Sequence, residues 1–285
     1  MDKSKILGIV NMNDFSVLLS VYHKEKPDYL RQALDSVFSQ TLRAAQVVLV
    51  EDGPLTPDLD TVIANYSGLY SELEVIPLEK NLGLGGALNE GLNHCNFDLV
   101  ARMDTDDISK PERFEKQVNY MLAHPEIDVV SSWIDEFIET PDDVRSVRRL
   151  PQTSEELYEF GKKRNPINHP VVMFRKSAVL KAGSYQHFPL FEDYYLWVPM
   201  MLAGSRLNNI QESLLFMRTN ADMYKRRGGL LYAKDELRFQ KWMIQSGYIN
   251  FFQFIKNSTV RFIMRIIPNN IRGIGYQLIR AMGKS

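Results

Sequence analysis

Residues 97–107 read "FDLVARMDTDD": a largely apolar run, 99–103, ends in Asp104, Asp106 and Asp107, three carboxylates within four positions. A short run of this kind predicts a buried strand. Carboxylates crowded at its end repel one another unless a cation or a hydrogen-bond network neutralises them. Capping of a following helix by Ser109, ahead of Pro111 and Glu112, would need the serine alone. An EF-hand loop would need D-x-[DN]-x-[DN]-G, but Ile108 and Ser109 stand at its fifth and sixth positions. A divalent cation held by one or two carboxylates, with substrate phosphates completing the shell, accounts for the whole cluster. On an extended segment Asp104 and Asp106, two apart, would share a side.

On either side of this stretch apolar runs alternate with helix-patterned segments. "SVLLSVY" (16–22), "QVVLV" (46–50), "LEVIPL" (73–78) and "IDVVSSW" (127–133) predict strands. Between them "KPDYLRQALDSVFSQ" (26–40) sets Leu30, Leu34, Val37 and Phe38 at helical spacing. "TPDLDTVIANY" (56–66), "GGALNEGLNHC" (85–95) and "PERFEKQVNYMLAHP" (111–125) predict further helices, the last with Pro111 in its first turn. This order argues for an α/β fold, a single Rossmann-like, mostly parallel sheet flanked by helices. Ligands of such a sheet bind at the carboxyl ends of its strands, where "EDGP" (51–54) and "DTDD" (104–107) both fall. Past about residue 139 the alternation weakens. "TPDDVRSVRRLP" (140–151) predicts a charged loop, "HPVVMF" (169–174) and "LLFMR" (214–218) strands, and "FEDYYLWVPMMLAG" (191–204) and "KDELRFQKWMIQSG" (234–247) helices.

The composition, 45% apolar and 24% charged over 285 residues, is that of a folded protein with a sizeable core. Its net charge of −1 hides an asymmetry: residues 237–285 carry eight basic residues and no acid, leaving −9 over the first 236. One cysteine, Cys95, excludes an internal disulfide and reads as a small core residue in a reducing compartment. The apolar run 6–10 is too short for a signal peptide, and no run reaches the 18 residues or so that span a bilayer, so a cytoplasmic location is expected. "NLGLGGAL" (81–88) fails as a dinucleotide fingerprint because Leu88 stands where G-x-G-x-x-G needs glycine. The terminal "GKS" is no P-loop.

Taken in order, these segments resemble the family-2 glycosyltransferases of GT-A fold over roughly residues 15–220. "RMDTDDIS" resembles their D-x-D-D signature, "FSVLLSVYHKEKPDYLRQALDSVFSQTL" the opening strand and helix, and "VVLVEDGP" the second strand. "EKNLGLGGALNEGL" resembles the N-x-G segment, here with Asn81, and "FEDYYLWVPMMLAG" the E-D-x-x-L-W motif. The resemblance implies a GT-A domain over 1–235, with a nucleotide-binding half at about 15–135 and an acceptor half at about 136–235. It implies inverting transfer of a hexose from a UDP-sugar with Mn²⁺ or Mg²⁺. Asp106 would ligate the metal, Asp104 the metal or the ribose, and Asp107 would orient either. Asp52 would face the uracil and Tyr22 border it, although "EDGP" is also a good turn and Tyr22 an ordinary core aromatic. The family often places an arginine before the D-x-D to meet the diphosphate; none lies between Lys80 and Gly91, so Lys80 or Arg102 would substitute. Asp193 would be the general base with Glu192 beside it; the plainer reading is two acids favourable to a helix N-terminus. Trp197 would be core or touch the acceptor sugar. His169 would be structural or, as in some relatives, join the metal site.

"SVYHKEKPDYL" and "EDGPLTP" resemble enzymes of O-antigen and exopolysaccharide assembly that add a β-1,3-linked hexose to GlcNAc-diphosphoundecaprenol. This implies a polyprenyl-diphosphate-linked sugar acceptor and favours galactose, with UDP-glucose as the alternative donor. The segment 236–285 interleaves Phe, Ile and Met with Arg and Lys, an amphipathic helical extension that either packs on the body or lies on an anionic membrane surface. Its aromatics form no stacking platform for nucleic acid. Two other classes compete. A sugar nucleotidyltransferase would carry a Gly-rich basic loop after the first strand, and "VYHKEKPDYL" has no glycine there. A non-catalytic nucleotide-sugar-binding protein would keep the donor site without the base.

Overall fold

The computed structural model describes residues 13–188, 190–219 and 230–266. The short apolar run at 6–10 and the basic stretch beyond 266 lie outside them. Strands β1 (Ser16–Val21), β2 (Gln46–Glu51), β3 (Leu73–Pro77) and β4 (Leu99–Arg102) pair in parallel in the order β3-β2-β1-β4. The sheet continues through β8 (Met173–Arg175), antiparallel to β4, then β6 (Val129–Phe137) and β9 (Leu207–Arg218), which run parallel to each other. A two-residue strand, β5 (Ile108–Ser109), closes the edge against β9.

Alternate residues of each strand feed opposite faces. Leu18, Val48 and Val50 point to one face, under helices α3 (Gly83–His94) and α7 (Glu192–Leu202). Val17, Leu19, Val47 and Leu49 point to the other, under α1 (Pro27–Phe38), α2 (Pro57–Leu69) and α4 (Arg113–Ala123). Pro27 presets the first turn of α1, whose Leu30, Ala33, Leu34 and Val37 then form the buried stripe. Helix α3 lies close on the sheet because Gly91 has no side chain: a Cβ there would sit 2.5 Å from Leu18 Cδ1 and 2.6 Å from Val50 Cγ2. Helices α5 (Ser154–Gly161) and α6 (Lys176–Lys181) flank the second half. Thr153 and Glu156 form a capping box at the start of α5.

Three expectations change. The segment read as a charged loop holds β7 (Val144–Arg148), antiparallel to β6; its polar residues suit an edge strand. Ser109 caps no helix: it sits in β5, and α4 begins at Arg113, after Glu112. Thr105 and Asp106 form a turn, so Asp104 and Asp106 do not share an extended segment.

Helix α8 (Leu230–Gln245) buries Phe239 and Met243 in the same core as Tyr194 and Trp197. It leads through Gly247 into α9 (Phe251–Ile266), capped by reciprocal 2.9 Å bonds between Asn250 and Gln253. Among the described residues no helix is long and apolar enough to cross a membrane.

Candidate active site

Because β1, β2 and β4 are parallel, their carboxyl ends bring Tyr22, Asp52 and Asp104 to one edge of the sheet. Tyr22 is 36% exposed there, its ring edge-on to His23. Asp52 is buried, and its carboxylate fixes the next turn: Oδ1 accepts from Leu82 N (2.6 Å) and Oδ2 from Asn81 Nδ2 (2.8 Å). Only glycine allows this approach at position 53, where φ is +82° and a Cβ would stand 2.7 Å from Asn81 N. Lys80 and Asn81 are exposed on the same rim.

Asp104, Asp106 and Asp107 present carboxylate oxygens all within 4.8 Å of one another. Burial, then repulsion from Asp104 and Glu25, pushes the Asp106 carboxyl up to about 7. Burial and its two neighbours hold Asp107 well above the usual carboxylate range. Asp107 Oδ1 accepts from Arg218 N (2.8 Å), while its buried Oδ2 has no partner among the described residues. A hard divalent cation fits this donor set: it would satisfy the orphaned oxygen and remove the repulsion. Asp104, Asp106 and Asp107 are the residues that would hold it.

Arg102 is not free to meet a diphosphate. It is 1% exposed, and its guanidinium forks onto both oxygens of Asp104, with Nη1 2.9 Å from Oδ2. Arg113, fully buried, donates from Nη2 to the Arg102 carbonyl (2.6 Å) and from Nη1 to Ser109 Oγ (2.9 Å), fixing the strand end from below.

Asp193 lies in the first turn of α7, where the partial positive end of the helix meets it. Its Oδ1 accepts from Tyr194 N (2.7 Å) and its Oδ2 from Asn165 Nδ2 (2.6 Å). Burial raises its pKa, and these two donors oppose the rise. Glu192, also raised by burial, packs against Gly85 of α3. His169 is buried and shares a 2.9 Å hydrogen bond with Tyr185 Oη; burial and the nearby Arg102 charge hold it well below its usual range, so it stays neutral. It is not part of the cluster of potential metal ligands formed by Asp104, Asp106 and Asp107. Trp197 is a core residue, 0% exposed, edge-on to His169. Cys95 is buried, its thiol pushed up to about 12 by burial, which leaves it inert.

Sequence reasoning missed three residues of this region. Glu25 accepts from Thr105 Oγ1 (2.9 Å) and adds a fourth carboxylate near the cluster; its place just after the first strand was the available signal. Arg218 closes "LLFMR" at a strand end. Asn165, in a loop, carried no signal.

Comparison with known proteins supplies the context. The family model described as "Glycosyl transferase family 2" matches residues 16–181. The amylovoran biosynthesis glycosyltransferase AmsE of Erwinia amylovora is 41% identical over 92% of this chain and 98% of its own length. An Escherichia coli enzyme named UDP-Gal:alpha-D-GlcNAc-diphosphoundecaprenol beta-1,3-galactosyltransferase is 37% identical over 93% of this chain and 96% of its own. Among solved structures, S. aureus TarS 1-349 in complex with UDP-GlcNAc aligns with a TM-score of 0.65 at 16% identity, over 88% of this chain and 72% of that one. A Pyrobaculum calidifontis mannosyltransferase in complex with GDP-Man and Mn²⁺ aligns with a TM-score of 0.63 at 15% identity, over 87% and 68%. The two structures share the GT-A fold with the present chain. The matched residues run from the first strand through the aspartate turn to α6, and the chain belongs to glycosyl transferase family 2.

Proposed function

We propose that the chain transfers galactose from UDP-galactose to GlcNAc-diphosphoundecaprenol with inversion, forming a β-1,3 link in the assembly of an O-antigen or exopolysaccharide repeat. The observation that carries this reading is the 37% identity with the Escherichia coli galactosyltransferase across nearly the full length of both chains. The site's layout supports it. One edge of the sheet offers Tyr22 and Asp52 to a nucleoside and an acidic turn to its diphosphate. A second carboxylate, Asp193, stands on a separate helix for the acceptor hydroxyl.

In this reading Asp193 takes the proton of the attacking hydroxyl, and Asn165 and Tyr194 N hold its carboxylate in one orientation. Arg102 holds the Asp104 carboxylate in one orientation. Lys80, exposed on the rim, supplies positive charge near the diphosphate. A divalent ion, Mn²⁺ or Mg²⁺, held by the aspartate turn would act as Lewis acid for the departing UDP.

The acceptor is a lipid, so the reaction belongs at a membrane surface, here the cytoplasmic face of the inner membrane. Helix α9 supports a peripheral seat: Phe251, Phe252, Ile255 and Phe262 are exposed, and no acid lies between Leu237 and the C-terminus.

The test is a transfer assay. Purified protein with Mn²⁺ is offered UDP-Gal, UDP-Glc, UDP-GlcNAc and UDP-GalNAc in turn, against a GlcNAc-diphosphate-lipid. Transfer from UDP-Gal is expected. Transfer from UDP-Glc alone would reassign the donor, and UDP binding without transfer would overturn the acceptor.

A further inference from the structure

Arg218 ends β9, one residue before the described segment closes at 219, and it is 7% exposed. Its backbone N–H donates to Asp107 Oδ1 (2.8 Å) and its Nε to the Asp106 carbonyl (3.1 Å). Nη1 reaches the Glu139 carbonyl (3.2 Å), beyond the end of β6, and Nη2 reaches Gln32 Oε1 (2.9 Å) on α1. The guanidinium carbon stands 3.9 Å over the ring of Tyr29 and 4.6 Å over that of Phe137. One residue, through its N–H and its side chain, thus ties the aspartate turn to α1 and to the end of β6.

The choice of acceptors matters. Among the described residues, the side-chain N–H groups of Arg218 go to two carbonyls and an amide oxygen, never to a carboxylate. Arg102 already forks onto Asp104, and a second arginine forked onto Asp106 or Asp107 would fix the turn but neutralise the remaining charge a cation needs. Arg218 fixes the backbone of Asp106 and one oxygen of Asp107, and leaves Asp107 Oδ2 open. Lysine cannot substitute: its single ammonium has no planar fork to span three directed acceptors.

We infer that Arg218 is the positioning residue of the metal turn, holding Asp106 and Asp107 in ligating geometry without consuming their charge. The inference rests on the reading of the aspartate turn as a divalent-cation site. Groups that orient metal ligands typically change metal affinity by about 10–100-fold when lost.

The experiment is a Mn²⁺ titration of the full chain followed by electron paramagnetic resonance, with wild type, Arg218→Lys, Gln32→Leu and Asp106→Asn side by side. Gln32 is exposed, so its substitution removes one tether with no loss of core and serves if Arg218→Lys folds poorly. Arg218→Lys is expected to bind Mn²⁺ at least about tenfold more weakly, and Gln32→Leu a few-fold more weakly. Transferase activity of Arg218→Lys should fall at limiting Mn²⁺ and recover at saturating Mn²⁺, a pattern that general loss of folding would not give. Wild-type affinity in both Arg218→Lys and Gln32→Leu, with binding abolished in Asp106→Asn, would overturn the role of Arg218 and keep the metal site. No Mn²⁺ binding by wild type would overturn both.

Discussion

The Asn165 amide donates a 2.6 Å hydrogen bond to Asp193 Oδ2, joining the loop after α5 to the first turn of α7. Asn165 Oδ1 in turn accepts from Ile167 N (3.2 Å), which fixes the amide so that its NH₂ faces the carboxylate. The bond stabilises the ionised form of a group that burial pushes toward protonation.

A pH profile checks that relationship. A general base must be ionised, so turnover falls as pH drops through the Asp193 pKa. Removing a donor raises that pKa and moves the acid limb to higher pH. A hydrogen bond to a charged group contributes about 1.5–3 kcal/mol, and one pH unit is 1.36 kcal/mol, so Asn165→Ala should shift the limb upward by about one to two units. Asp193→Asn should cut kcat by about 10²–10⁴ while UDP binding survives. An unmoved limb in Asn165→Ala would leave Asn165 as loop scaffolding, and full turnover in Asp193→Asn would remove Asp193 from the reaction.

Metal-free stability should move opposite to activity at the aspartate turn. Asp106 in the folded chain titrates at about 7, above its usual value of 3.8. The folded state therefore holds more protons than the unfolded state between those values, and stability falls as pH rises from about 4 to 7. Asp106→Asn removes the charge and should raise the Tm of the metal-free protein at pH 8 by several degrees. The same variant should lose the further Tm increase that Mn²⁺ gives wild type. Thermal melts with and without chelator read both effects. A lower metal-free Tm in Asp106→Asn would mean that the carboxylate is satisfied within the turn.

Packing supplies a control remote from the chemistry. Gly91→Ala would force a Cβ into Leu18 and Val50 at the centre of the sheet, and overpacking of this kind costs about 1–3 kcal/mol. Gly68→Ala, near the end of α2, meets nothing within 4 Å and should be stabilising by up to about 1 kcal/mol. Denaturant melts of the two variants should separate in opposite directions. Equal stability would mean that α3 can move off the sheet without loss.

Much of the first half was legible because its signals are local. Strand runs such as "QVVLV" and the stripe of Leu30, Leu34 and Val37 are set by neighbours in sequence, and parallel pairing follows from their alternation. The aspartate turn stood out because three carboxylates in four positions exceed what a helix cap or turn requires. The second half was less legible. Val144–Arg148 becomes a strand only because β6 offers it an edge, which its own polar composition does not announce. Arg102 reads as a phosphate ligand in sequence, yet in space its fork is already filled by Asp104. Asn165 and Arg218 act across 28 and more than 100 residues of chain, and no spacing rule reaches that far.

Helix α9 turns most of its large apolar residues away from the body. Asn257 and Arg261 face the body: Asn257 donates to the Lys162 carbonyl (2.8 Å) and Gln240 Oε1 (3.1 Å), and Arg261 pairs with the buried Glu236. Phe254 packs on the core, but Phe251, Phe252, Ile255, Val260 and Phe262 face out, with Phe252 81% and Phe251 61% exposed. Water alone would favour the opposite rotation, since outward rings gain nothing from burial. A phenylalanine is worth roughly 1.5–3 kcal/mol when fully buried, and an interfacial seat recovers part of that. Phe251→Ser with Phe252→Ser should therefore weaken binding to anionic phospholipid vesicles by at least about tenfold, with little change in Tm. Added salt should weaken wild-type binding too, because the basic residues contribute about 1 kcal/mol each near an anionic surface. Cosedimentation measures both. If the double variant partitions as wild type does, α9 faces something other than lipid, and the acceptor must be met elsewhere on the molecule.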